Sequence, residues 1–338
     1  MVKITQKLLV AAAVLLGSWA VAAHAADPIR LPALGASQQE PVSAAQSSRE
    51  HLAQDAKCTR CHDENESKPV LAFFQTPMGV TGDPRTPTCE SCHGPSLAHL
   101  RGPVNGKIAP PDVVFNRSGP YSESSADNRA QACLACHSGT QRTHWDGSAH
   151  QVNGLACNDC HKVHAAVDPV RTKGLQQTVC YTCHKDRRAD FMKLSHHPVP
   201  EGKMLCSDCH NPHGSVGPFL MKKATINETC WTCHADKRGP FLWEHEPVTE
   251  KCTNCHNPHG SNIAPLLKAR PPFLCQECHD GPHQSKNMFG PGVAGPSTAT
   301  GFSAIPGSPA SGGVGEGCMN CHIMVHGSNN PAGAFLQR

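Results

Sequence analysis

Ten Cys-x-x-Cys-His motifs run through this 338-residue chain and use all 20 of its cysteines. They are Cys58, Cys61 and His62; Cys89, Cys92 and His93; Cys133, Cys136 and His137; Cys157, Cys160 and His161; Cys180, Cys183 and His184; Cys206, Cys209 and His210; Cys230, Cys233 and His234; Cys252, Cys255 and His256; Cys275, Cys278 and His279; and Cys318, Cys321 and His322. Two thiols at this spacing can form thioethers to the two vinyl groups of one porphyrin, and the histidine that follows then lies under the iron as proximal ligand. Paired cysteines also build zinc ribbons and redox dithiols. Neither explains a histidine after every pair, because histidine is 23 of 338 residues and ten coincidences are on the order of 10⁻¹². Ten covalently bound haem c groups are expected.

The second axial position decides whether an iron takes substrate or only passes electrons. Setting aside the ten proximal histidines and His24, which falls in an expected leader, twelve histidines remain for ten irons. A repeat assigns most of them. The stretch from Cys180 to Ser215 and the stretch from Cys230 to Ser261 are one pattern written twice: a haem motif, a histidine before Pro-Val or Glu-Pro-Val, a second motif, then Asn-Pro-His-Gly-Ser. His99, His164, His213, His259 and His326 follow the second motif of each unit. His150, His197, His245 and His283 fall between the two motifs of units two to five, with His196 the neighbouring alternative to His197. The first unit has no histidine between His62 and Cys89. Met78 stands in the place of the distal ligand there, giving either one His/Met haem at the first motif or a packing role for Met78 with His51 as ligand. His144 is surplus.

The elements that must position these residues are meagre. Aromatic residues are 5% of the chain, and Gly and Pro are 29 each, so apolar periodicity long enough for buried helices or strands is missing. The expected fold class is a multihaem cytochrome c, with short helices and loops wrapped around an elongated row of ten haems and almost no strand. One helix should enter through Asp127 and run to His137, and another should be capped near Asn227 before Cys230.

Residues 1–25 read as a signal peptide, with Lys3 and Lys7 ahead of an apolar stretch and Ala23-His24-Ala25 as cleavage site. Residues 26–50 read as a flexible lead-in, and 51–338 as a decahaem domain of five two-haem units at 58–101, 133–165, 180–215, 230–261 and 275–327. Losing Lys3 and Lys7 from the 30 basic residues leaves 28 against 27 acidic ones. That balance carries no basic footprint for nucleic acid. A Gly/Pro-rich expansion, 281–317, interrupts the last unit.

An open haem site would make the chain a multihaem oxidoreductase, but the ligand count leaves no iron obviously open. No Cys-x-x-Cys-Lys motif occurs, and only Tyr121 and Tyr181 could cross-link a haem. Arg187, Arg188, Lys237 and Arg238 are either propionate partners or surface charge.

The segments HKVHAAVDPV around His164, CSDCHNPHGS around His213, CHADKRGPFLWEHEPVTE around His245, CTNCHNPHGS around His259 and VHGSNNPAG around His326 resemble the decahaem cytochromes of outer-membrane porin–cytochrome conduits, the MtrA, MtoA, PioA and DmsE family. The resemblance covers the mature chain. It implies a periplasmic electron-transfer protein without its own substrate site, associated with the outer membrane by insertion in a β-barrel porin. Its partners would be periplasmic or inner-membrane cytochromes on one side and an extracellular cytochrome or iron on the other. It also implies the nine distal histidines at the positions given. Iron-reducing relatives have histidine where Met78 stands, and a raised-potential haem suits electrons arriving from ferrous iron. Inward flow from extracellular Fe(II) oxidation is therefore expected; outward flow to ferric minerals is the alternative.

Overall fold

The computed structural model describes residues 44–66, 69–80, 82–83, 85–279, 318–320, 322–331 and 336. The expected leader, most of the lead-in, His283, Cys321 and all of the Gly/Pro-rich expansion lie outside them. The described helices are short: α1 Ala44–Thr59, α2 Cys89–His93, α3 Leu97–Leu100, α4 Ala126–His137, α5 Ala149–Val152, α6 Cys157–Cys160, α7 Gln176–Cys180, α8 Lys185–Asp190, α9 Cys206–Cys209, α10 Ile226–Trp231, α11 Glu246–Glu250 and α12 Phe273–Gln276. Among the described residues, β structure is limited to isolated bridges such as Ser195 with Ser261 and Trp243 with Ser328.

The haem motifs themselves dictate most of these helices. In each unit the first motif ends a helix or helical turn, whereas the second begins one. In units one to three the second motif caps itself. In α6 the Asp159 carboxylate accepts from the Ala156 amide at 2.7 Å, and in α9 Asp208 accepts from Leu205 at 2.9 Å. In α2 Ser91 accepts from Thr88 at 3.0 Å. A carboxylate or hydroxyl at the third helical position reaches back to an amide that has no partner of its own, and a negative charge there also suits the helix dipole. The internal residues of Cys-Asn-Asp-Cys and Cys-Ser-Asp-Cys are thus local folding instructions.

Two expectations need correction. Helix α1 begins at Ala44, inside the stretch read as lead-in, because residues 44–57 hold no Pro or Gly and are mostly good helix formers. Helix α10 is capped by Thr225, which exchanges bonds with Glu228 at 3.1 and 3.0 Å. Asn227 lies within α10. Its side-chain nitrogen donates to the Val248 and Thr249 carbonyls, and its oxygen accepts from the Cys252 amide at 2.7 Å. Asp55 does the same in unit one, accepting from Cys89 N at 2.8 Å. In each case a polar residue three positions before the first motif caps the helical turn of the second, fastening the two motifs of a unit together.

Successive units are fastened by backbone contact. Ser195 and Ser261 exchange hydrogen bonds of 2.9 and 2.8 Å, and Trp243 and Ser328 exchange two of 2.9 Å. Both bridges join the residue two before a between-motif histidine to the residue two after a histidine of the next unit. At Gly260, beside His259, a Cβ would collide with the Asp190 carbonyl, and at Gly214 with that of His144. Gly214 also has φ +105°, so glycine is required there on two counts.

Little else holds the chain to itself. The buried hydrophobic residues among those described are Phe73, Val114, Ala130, Trp145, Ala156, Phe191, Val199, Met221 and Ile226. That is far short of the core a domain of this length needs. Protein prepared without haem should therefore show no cooperative thermal transition by calorimetry or far-ultraviolet circular dichroism. A sharp, two-state melt of the haem-free chain would show that the polypeptide alone makes a sufficient core.

Candidate haem-binding sites

Each described motif closes one helical turn: His62 N bonds Cys58 O at 3.0 Å, His161 N bonds Cys157 O at 2.8 Å, and His234 N bonds Cys230 O at 2.9 Å. That turn sets the two thiols on one face and the imidazole at its end. Opposite eight of these imidazoles stands a second. The ring-centre separations are 6.1 Å for His62 and His99, 6.1 Å for His93 and His164, 6.1 Å for His161 and His213, and 6.2 Å for His184 and His150. They are 6.1 Å for His210 and His259, 6.2 Å for His234 and His197, 6.1 Å for His256 and His326, and 6.0 Å for His279 and His245.

The separation is constant while the angle between ring planes runs from 10° to 68°. Ring stacking would couple distance to angle. Ligation from both sides of one metal fixes the distance and leaves rotation about the ligand–metal–ligand axis free. Two metal–imidazole bonds of about 2 Å, with about 1.1 Å from each nitrogen to its ring centre, place the centroids about 6 Å apart. The residues therefore fit haem with two axial histidines.

Protonation fits as well. Nδ1 lies on a backbone carbonyl in His93 (Val113, 3.0 Å), His99 (Ala109, 2.7 Å), His150 (Pro212, 2.7 Å) and His197 (Pro258, 2.7 Å). The same holds for His210 (Phe219, 2.8 Å), His245 (Val325, 2.8 Å) and His256 (Pro265, 2.9 Å). A carbonyl can only accept, so Nδ1 carries the proton and Nε2 keeps its lone pair for a metal. Burial holds His213 and His259 neutral down to about 4, with His161, Arg142 and His150 adding to it for His213, and Arg187 and His210 for His259. A neutral imidazole is the ligating form.

The pairs follow a rule that crosses unit boundaries. A histidine between the motifs of one unit faces the first motif of the next unit: His150 faces His184, His197 faces His234, and His245 faces His279. A histidine after the second motif faces the second motif of the preceding unit: His164 faces His93, His213 faces His161, His259 faces His210, and His326 faces His256. His99, with no earlier unit to serve, faces His62.

The place opposite His62 is thus taken by His99, where Met78 or His51 was expected, because the rule sends the between-motif ligand of unit one forward to unit two. His196, the alternative to His197, turns aside. Its Nδ1 donates to the Lys193 carbonyl at 2.6 Å, and its Nε2 meets Glu201 at 3.1 Å, which holds its pKa up. Among the described residues no second imidazole faces His137. Met78, half-buried, ends a segment whose Phe73 ring packs edge-on against His164 at 6.5 Å. Phe191, ahead of His197, packs in the same way against His259 at 5.6 Å. Phe73, five residues before Met78, is thus in unit one the counterpart of Phe191, six residues before His197, in unit three. His283, the last candidate, lies outside the described residues.

The thiols trace the succession of sites. Within a unit the first cysteines of the two motifs are neighbours: Cys58 and Cys89, Cys133 and Cys157, Cys180 and Cys206, Cys230 and Cys252, Cys275 and Cys318. Between units the second cysteines are neighbours. Burial raises the thiols of Cys92, Cys160, Cys209 and Cys255, and charge on Cys136, Cys183, Cys233 and Cys278 raises them further. Each motif thus lies near the next in chain order, from Cys58 to Cys318.

Residues 196–239 and 245–287 match the family described as a doubled CXXCH motif, and residues 89–177 match the NrfB-like cytochrome c-type proteins. The multihaem cytochrome MtrA of Shewanella baltica (strain OS185) is 42% identical over 285 residues, 83% of this chain and 80% of that protein.

The pairing at the first motif is open to a direct check. His99→Ala should create one high-spin ferric haem in the electron paramagnetic resonance spectrum, whereas His51→Ala and Met78→Ala should leave the first site low-spin. An unchanged low-spin spectrum in His99→Ala would contradict the arrangement.

Proposed function

Because this chain belongs to the MtrA family of multihaem c-type cytochromes, and so carries covalently bound haem c and transfers electrons, we propose that it holds ten haems and carries electrons across an outer membrane from within a β-barrel porin. It would be exported to the periplasm by residues 1–25. The 20 motif cysteines bind the haems, and the ten motif histidines are the proximal ligands. The distal ligands are His99, His164, His150, His213, His259, His197, His326 and His245 opposite their observed partners, with Met78 opposite His137 and His283 opposite His322.

One observation carries the reading: eight of the motif histidines face a second imidazole about 6 Å away, ring centre to ring centre, in motifs that neighbour one another in chain order. An iron with two protein ligands is a one-electron couple without a position for substrate. The residues then have three tasks. The cysteines fix each group to its helical turn, the paired imidazoles close both axial positions, and the carbonyls on Nδ1 hold ring orientation and tautomer. A chain with these tasks is a carrier rather than a reductase.

Electrons are proposed to run inward from extracellular Fe(II) to periplasmic or inner-membrane cytochromes. Met78 supports this direction, since a thioether ligand raises an iron's potential relative to a second imidazole. A raised-potential site suits electrons from a ferrous donor.

Near-infrared magnetic circular dichroism of the oxidised protein should show one methionine-to-iron charge-transfer band, and Met78→His should abolish it. No band in the wild type would remove Met78 from the ligand set. Deleting the gene from its host should stop growth on ferrous iron and leave respiration on ferric oxide intact. Loss of ferric oxide respiration alone would reverse the direction, and normal growth on both would overturn the conduit.

A further inference from the structure

One axial pair stands apart in what holds its rings. Seven of the sixteen paired histidines rest Nδ1 on a carbonyl and His259 meets the Arg187 guanidinium at 3.2 Å, but His161 meets a carboxylate, Asp168 Oδ2, at 2.7 Å. Asp168 is held for that contact. Its other oxygen accepts from the Lys162 amide at 3.3 Å, and its backbone carbonyl accepts from Arg171 N at 3.1 Å and Thr172 Oγ1 at 2.8 Å. Among the described residues no Lys or Arg forms an ion pair with it, and the Lys162 ammonium turns to the Asn158 carbonyl. No cationic side chain among the described residues therefore competes with His161 for the Asp168 carboxylate. The partner ring contributes no opposing bond, because Nδ1 of His213 is buried without a hydrogen-bond partner among the described residues.

The other carboxylate contact, His62 with Glu66 at 2.8 Å, is looser. Both side chains are more exposed there, at 42% and 35%, than His161 and Asp168 at 32% and 20%. Water screens the former pair more.

We propose that Asp168 sets the iron held between His161 and His213 below its neighbours in potential, making the fourth site a fixed low step in the succession. The proposal rests on the ligand assignment given above. A carboxylate accepting the Nδ1 proton shifts electron density onto the imidazole and makes Nε2 a stronger donor, which favours ferric over ferrous iron. One electron is gained or lost at the iron, no bond is made or broken, and the proton stays between His161 and Asp168. Asp168 is a tuning residue acting through His161. Electrons crossing the fourth site meet a rise set by one side chain, and the sites on either side keep their own potentials.

The test tags this one iron among ten. In a Met78→His background, His213→Met should introduce a methionine-to-iron band whose redox titration reports the fourth site alone. Adding Asp168→Asn should move the midpoint of that band upward, Asp168→Glu should restore most of it, and the other midpoints should hold. No band in the His213→Met protein would sink the ligand assignment and the proposal together. A band whose midpoint ignores Asp168→Asn, or a uniform shift at every site, would refute the tuning role and leave the assignment standing.

Discussion

An iron in the plane of a porphyrin must be approached from both faces, and a Cys-x-x-Cys-His turn can approach from only one. The ring is wider than the turn that carries it, so the second ligand must come from a different stretch of chain. The pairing of histidines from different units answers that requirement. Between-motif histidines are passed forward to the next unit, and histidines after the second motif are passed back. Each unit is completed by its neighbours, and the first unit closes its leading site with its own His99.

The remaining structure steadies these exchanges. The Ser195–Ser261 and Trp243–Ser328 bridges hold the two exchanged histidines of adjoining units a fixed distance apart. His197 and His259 can then face different irons from neighbouring positions. Carbonyls of Pro212, Pro258 and Val325, each just before a backward ligand, orient the forward ligands His150, His197 and His245. A single residue thus serves two sites, one through its backbone and one through the histidine that follows. Gly214 and Gly260 let the backbones come close enough for this. The scarcity of ordinary core follows, since chain spent on ligands and turns buries little against itself.

Much of this was legible in the sequence. The haem motifs, the repeat, the paucity of strands, the helix ending at His137 and a set of distal candidates could be read directly, because each depends on spacing within a few residues. What could not be read was which candidate meets which motif. Within one unit, a histidine between two motifs looks equally able to serve either, and nothing local says that it leaves the unit. The same blindness put Met78 at the first motif. His99 stands opposite His62 instead, and the likeness of Phe73 against His164 to Phe191 against His259 supports the proposed place of Met78 toward unit two. Asp55 and Asn227, each three residues before a first cysteine, carried a readable signal that was missed, because polar residues at that place look like helix surface. Asp168 stands in the HKVHAAVDPV segment, but its bond to His161 depends on a turn that the sequence does not announce.

The claim on which the account rests is that axial pairs cross between units. Locating iron by its anomalous X-ray scattering in crystals of the haem-loaded protein tests it most directly. The account predicts iron midway between His93 and His164, His161 and His213, and His210 and His259, each pair drawn from two units. Irons whose two axial ligands both come from one unit beyond the first and last would contradict it.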